Sequence, residues 1–141
     1  MIYIRVAPAV RDDISAIAVS DRRAAAKLLV LLEEISVNQN ILGDLVTHGA
    51  TVDTVPSFRE ATVKRIGTAA RDHGVPLWRL SCIDLTGWAL PYRILYLYEQ
   101  ARAPGWKPTL HVIAAARRSE IDYDDPDNAY IARAYLYWRS L

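Results

Sequence analysis

The chain has 141 residues, 52% of them hydrophobic, and a formal net charge of +1. That is enough for one domain with a real core and too apolar for a disordered chain. No apolar run approaches the roughly 18 residues of a membrane span. The single cysteine, Cys82, excludes an internal disulfide and a cysteine-based zinc site. The first residues, with Arg5 and Arg11 around a short apolar strand, lack a signal-peptide layout, so a cytoplasmic protein is expected.

The small net charge hides an uneven distribution. Residues 51–118 carry ten cations and five acids, whereas residues 119–141 carry two cations and five acids. Fourteen of the seventeen cations are arginine. Arginine suits bidentate contact with phosphate or carboxylate, although a GC-rich genome produces the same bias.

Met1 to Val6 reads as a first strand. Pro8, Asp12 and Asp13 announce a short helix with Ile14 and Ile17 inward. Ser20 and Asp21 can cap a longer helix, with Ala24, Leu28, Leu31, Leu32 and Ile35 on its apolar side, ending before Gly43. The two form a helical hairpin expected to lie on a sheet. Thr47 to Pro56 is a connection with little signal. After it, the spacing of Ser57 and Glu60 is that of a capping box and predicts a helix from Phe58 to about Asp72, although "ATVKRI" would also pair as a strand.

Gly74 and Pro76 break the chain. Three runs follow, "LWRLSCIDL", "PYRILYLYE" and "TLHVIAAARR", joined by hairpin-sized connections and therefore expected as antiparallel neighbours. Their apolar residues fall on both faces, so each side of the sheet needs a cover. Asp125 before Pro126 predicts the start of a final helix running to about Arg139, which can supply the second one. The fold class is α+β, a single domain over residues 1–141: an N-terminal strand and helical hairpin on a small antiparallel sheet, closed by a C-terminal helix.

Two features of the strands bear on chemistry. With a period of two, Arg93 shares a face with Leu95 and Leu97, while Tyr92, Ile94, Tyr96 and Tyr98 share the other. A guanidinium among leucines is costly unless it meets an anion, and pairing with Asp84 or Glu99 competes with a functional role. Arg117 and Arg118 are adjacent, so only one enters a given cleft unless the strand has already ended. Among the histidines, His111 reads as a core residue, His48 lies in a loop without a visible partner, and His73 is a reserve candidate for acid-base work. "DYDDPD" lacks the ligand spacing of a calcium loop and reads better as a helix cap.

The order of strand, helical hairpin and antiparallel sheet, with "LWRLSCIDL", "PYRILYLY", "HVIAAARR" and "DYD", resembles the RelE/ParE superfamily of bacterial type II toxins, particularly its RelE-like and HigB-like members. The resemblance runs from Asp12 to Tyr137 and is specific only over Leu77 to Asp124. Some members place a "VKR" segment, a spacer and a glycine before "LWRL"; Val63 to Arg65, Gly74 and Leu77 to Leu80 match this, which favours a strand near Lys64. It implies an mRNA endonuclease that acts without a metal or organic cofactor, commonly in the ribosome, and blocks translation until a cognate antitoxin protein covers its basic cleft.

The resemblance also implies residue roles. Arg93 would stabilise the phosphate in the transition state, Arg117 would hold the same phosphate or assist the leaving group, and Tyr123 would stack on an extruded base or act as a base. Lys64, Arg65, Arg79 and Arg118 would bind the RNA backbone, although a solvated or antitoxin-facing position is the plainer reading of Arg118. ParE-like relatives use the same fold to poison DNA gyrase without cleaving RNA, and a non-toxic interaction module is a further alternative. The acidic C-terminal part and the scarcity of lysine depart from the family pattern and weaken polyanion binding.

Overall fold

A computed structural model describes residues 1–52, 55–101 and 103–141. The chain is α+β, with a six-stranded mixed sheet. Its strands are β1 (Tyr3–Val6), β2 (Thr51–Val52), β3 (Phe58–Arg65), β4 (Leu77–Asp84), β5 (Tyr92–Glu99) and β6 (Thr109–Arg117), in the spatial order β1-β6-β5-β4-β3-β2. β1 runs parallel to β6 and the other neighbours are antiparallel, so the three runs expected as a meander are one.

The helical hairpin is α1 (Pro8–Ser20) and α2 (Arg22–Val37). Proline opens α1, where its missing N–H is not needed, and Asp21 caps α2 by accepting from the Ala24 N–H at 3.0 Å. Val10, Ile14, Leu28, Leu31 and Ile35 press onto Tyr92, Ile94 and Tyr96 of the sheet. The second helix stops earlier than expected. Asn38 ends it and caps a separate α3 (Gln39–Asp44), accepting from the N–H groups of Asn40 and Ile41 at 3.0 and 3.4 Å.

The helix expected from Phe58 to Asp72 is instead β3 followed by α4 (Gly67–His73). The capping-box reading fails because Ser57 is engaged elsewhere. Its N–H and hydroxyl both donate to the Glu34 carboxylate on α2, at 3.3 and 2.5 Å. Ala61 and Val63 alternate inward, opposite Cys82 and Leu80 of β4, while Thr62 and Lys64 point away. Period-two burial therefore outweighs the local capping signal. Gly74, at φ 64°, ends α4 in the left-handed region that glycine enters freely.

The last helix, α5 (Ala129–Arg139), starts later than Asp125–Pro126 predicts. Asn128 is its cap and accepts from Tyr130 and Ile131, whereas Asp125 closes a preceding turn by accepting from the Asp127 N–H at 2.9 Å. α5 covers the second face of the sheet, where Ile131 and Ala134 meet Leu95, Leu97 and Ile113. Both covers are thus present. The second is partial, because α4 and α5 leave part of that face open.

Beyond Val112, β1 no longer pairs with β6. There Asp13 of α1 accepts the Ala115 N–H at 3.0 Å, and Arg133 of α5 donates to the Ile113 carbonyl at 3.2 Å. Asp13 and Arg133 also pair with each other through contacts of 2.6 and 3.0 Å. One bidentate ion pair thereby satisfies a stretch of strand edge and ties the two helical layers together.

Candidate functional site

The open part of the second face is built by strand alternation. Lys64 of β3 stands directly opposite Arg79 of β4, and Arg79 directly opposite Leu95 of β5. Arg93, two residues before Leu95, therefore shares their face, across from Ala116. Thr62, Ser81 and Glu60 occupy the same face by the same count. Tyr123 reaches it from the segment between β6 and α5, packing against the cluster beneath α5.

Arg93 is half-buried, and its side chain has no carboxylate partner among the described residues. One terminal nitrogen, Nη1, donates to the carbonyls of Leu90 and Tyr92 at 3.0 and 3.1 Å. The Nε–H is buried and makes no hydrogen bond among the described residues. The acids that could have paired with Arg93 are engaged elsewhere: Asp84 meets Arg23 and Lys27, and Glu99 meets His111. Burial lowers the pKa of Arg93, and the charges of Arg79 and Arg118 lower it further. An arginine pressed by two like charges beside an open surface is suited to meet an anion.

Tyr123 sits within the same field. Burial raises its phenol pKa, and the opposing influence of Arg79, Arg93 and Arg118 does not cancel that rise. Of the two roles expected for Tyr123, stacking ring or base, the raised pKa opposes the second. At neutral pH the group is a neutral hydrogen-bond donor with a ring available for stacking.

The expected trio of Arg93, Arg117 and Tyr123 does not converge. Arg117 is directly opposite Tyr92, whose ring belongs to the core beneath the helical hairpin, so it points to the other side of the sheet. Its Nη2 donates to the Tyr92 hydroxyl at 2.8 Å, and its guanidinium lies 4.9 Å from the ring centroid. Arg118 takes its place. β6 ends at Arg117, and a single 3-10 turn, Arg118–Glu120, begins with the Arg118 N–H donating to Pro91 O at 2.8 Å. This puts Arg118 close enough to influence both Arg93 and Tyr123.

The remaining candidates divide by face. Lys64 and Arg79 lie with Arg93, whereas Arg65 is directly opposite Trp78 on the reverse face. His48 is not partnerless, because its Nδ1 accepts the Arg65 N–H at 3.1 Å. His73 packs its ring 4.7 Å from that of Tyr135. His111 is the core histidine expected, buried between the Tyr137 hydroxyl at 2.8 Å and Glu99 at 3.4 Å. Burial pushes the Cys82 thiol up to about 12, so it stays inert. In the acidic segment, Asp122 and Asp125 close local turns and Asp124 accepts from the Thr68 hydroxyl. Sequence reasoning missed Glu60, which a period-two count back from Lys64 finds once β3 is read as a strand. No family model, curated protein or solved structure matches the chain.

Proposed function

We propose that the protein is a RelE-like toxin, an mRNA endonuclease that needs no metal or organic cofactor and is held inactive by a cognate antitoxin. The observation that carries this reading is Arg93: half-buried, without a carboxylate partner among the described residues, and crowded by Arg79, Arg118 and Tyr123 on an open sheet face. The order of strand, helical hairpin and the antiparallel run of β3 to β6 also supports the resemblance, although the sheet is mixed rather than antiparallel as expected, because β1 joins β6 in parallel.

Scission by attack of a 2′-hydroxyl on the adjacent phosphate requires charge stabilisation, a base and an acid for the leaving oxygen. Arg93 stabilises the phosphorane-like charge, with Arg79 and Arg118 adding to the field. Tyr123 stacks on a base or donates its proton. Glu60 supplies a carboxylate on the same face and is the group of the right kind to accept the 2′-hydroxyl proton. Lys64, exposed beside Arg79, holds the backbone leading to the site. An antitoxin segment bearing acidic side chains would cover these same groups.

Induced expression with mapping of transcript ends tests the reading. Wild type should arrest growth and leave cut transcripts, Arg93→Ala should abolish both effects and Arg118→Ala should weaken them, whereas Arg117→Ala should leave them in place. Arrest with intact transcripts and damaged chromosomal DNA would instead identify a ParE-like gyrase poison. No arrest at all would identify a non-toxic interaction module.

A further inference from the structure

A broad concavity lies away from Arg93, at the end of the sheet where β3 finishes and β4 begins. It has a volume of about 880 Å³, and its lining includes His48, Arg65, Trp78, Tyr98 and Trp138. A smaller hollow continues from it along α4, past Gly67 and Arg71, and shares His48 and Arg65. Trp78 is a core ring at the floor, but the part-exposed rings of Tyr98 and Trp138 beside two arginines and a histidine form the combination that holds single-stranded nucleic acid: bases stack on rings while cations follow phosphates.

The groove is contiguous with the open face. Lys64 and Arg65 are consecutive, both exposed, and point to opposite sides of β3, the first beside Arg79 and the second into the groove. The first turn of α4 lies between the two surfaces. Its Thr68 hydroxyl donates to Asp124, the neighbour of Tyr123, at 3.0 Å, while Gly67 and Ala70 line the groove side. Charge also fits. Arg65 has no ion pair among the described residues, and that of Arg71 with Asp72, 3.3 Å long, is between exposed groups and weak. The groove's own acid, Glu99, is turned toward His111.

We propose that this groove is a second RNA subsite: nucleotides flanking the scission point leave the open face over the first turn of α4, with phosphates on Arg65 and Arg71 and a base against the rings of Tyr98 and Trp138. The inference rests on the nuclease reading and adds to it a requirement for RNA longer than the scission site. His48 fixes the mouth of the groove by accepting the Arg65 N–H.

Fluorescence anisotropy with uncleavable 2′-O-methyl RNA separates the two ideas, using a short oligonucleotide of about four residues and a longer one of about ten. The longer strand should bind about tenfold more tightly. Arg65→Glu combined with Arg71→Glu should erase that gain and leave the short strand within about twofold, because both side chains are exposed and neither touches the open face. Arg79→Glu should weaken both strands. A longer strand that binds no better than the short one, or a double variant that weakens both equally, overturns the subsite while the nuclease reading stands. If wild type binds neither strand, both ideas fall.

Discussion

Asp84 and Arg93 are charges on neighbouring strands, treated in opposite ways. Asp84 faces the helical hairpin and is fully buried, yet it accepts from the Thr86 N–H, the Thr86 hydroxyl, the Trp88 N–H and Arg23 at 2.6 to 3.0 Å, with Lys27 at 3.9 Å. Those bonds hold its carboxyl down to about 2. Arg93 faces the other way, is only half-buried, and has a buried Nε–H with no partner. The hairpin side of the sheet is built so that charge supports the fold. The open side keeps charge that the fold does not compensate, which is the arrangement expected where stability is given up for binding.

The contrast breaks most visibly at Arg93. On the proposed nuclease reading, from which every cleavage rate below follows, Arg93→Met should lower the RNA cleavage rate by about 10²–10³-fold, the loss typical of removing a group aimed at transition-state charge. The same change should raise Tm by about 3 °C, because an unsatisfied buried donor is removed. Thermal melts and single-turnover cleavage of one preparation check both. A falling Tm would show that Arg93 is structural after all.

Asp84→Ala should do the reverse, lowering Tm by roughly 5–10 °C by stranding buried N–H groups while leaving cleavage below the melting range within about twofold. Its pH dependence follows from the direction of the shift. A carboxyl whose folded pKa lies below its ordinary 3.8 contributes stability that is complete above that value and lost as pH falls toward about 2. The Tm gap between wild type and Asp84→Asn should therefore close across that window. A gap unchanged at pH 2 would mean that the carboxylate contributes nothing through its charge.

The same two faces explain what was legible beforehand. Period-two reading correctly placed Arg93 with Leu95 and Leu97 and Tyr92 with Ile94 and Tyr96, because both faces of β5 bury apolar groups and register is strongly specified. The capping-box spacing misjudged β3, where it competed with alternation and the deciding contact, Glu34 with Ser57, spans 23 residues. The choice between Arg117 and Arg118 was also beyond local pattern. It depends on where β6 ends, which is set by the bond from Arg118 to Pro91, the residue before β5. The groove at the sheet end was invisible, since its lining comes from segments far apart in sequence.

Tyr123 sharpens the comparison with a smaller effect. With its phenol raised by burial, Tyr123→Phe should cost about tenfold or less in cleavage, and the wild-type rate should show no log-linear rise through pH 7–9 traceable to this hydroxyl. Tyr123→Ala should cost more, through lost stacking. A rate that climbs tenfold per pH unit in wild type and goes flat in Tyr123→Phe would restore the phenol as the base.

The smallest effect belongs to Arg117, and it tests the assignment of faces most directly. Its guanidinium is half-exposed and bound only to the ring and hydroxyl of Tyr92 among the described contacts, so Arg117→Ala should lower stability by about 0.5–1 kcal/mol. Cleavage should stay within twofold of wild type, whereas Arg118→Ala, one residue along, should reduce it by about tenfold or more. Adjacent residues of the same type share composition, local charge and helix or strand propensity. Only the direction in which each side chain leaves the sheet separates them. If Arg117→Ala impaired cleavage as much as Arg93→Met, the two arginines would have to act from one surface, and the division between a structural face and a functional face would fail at β6.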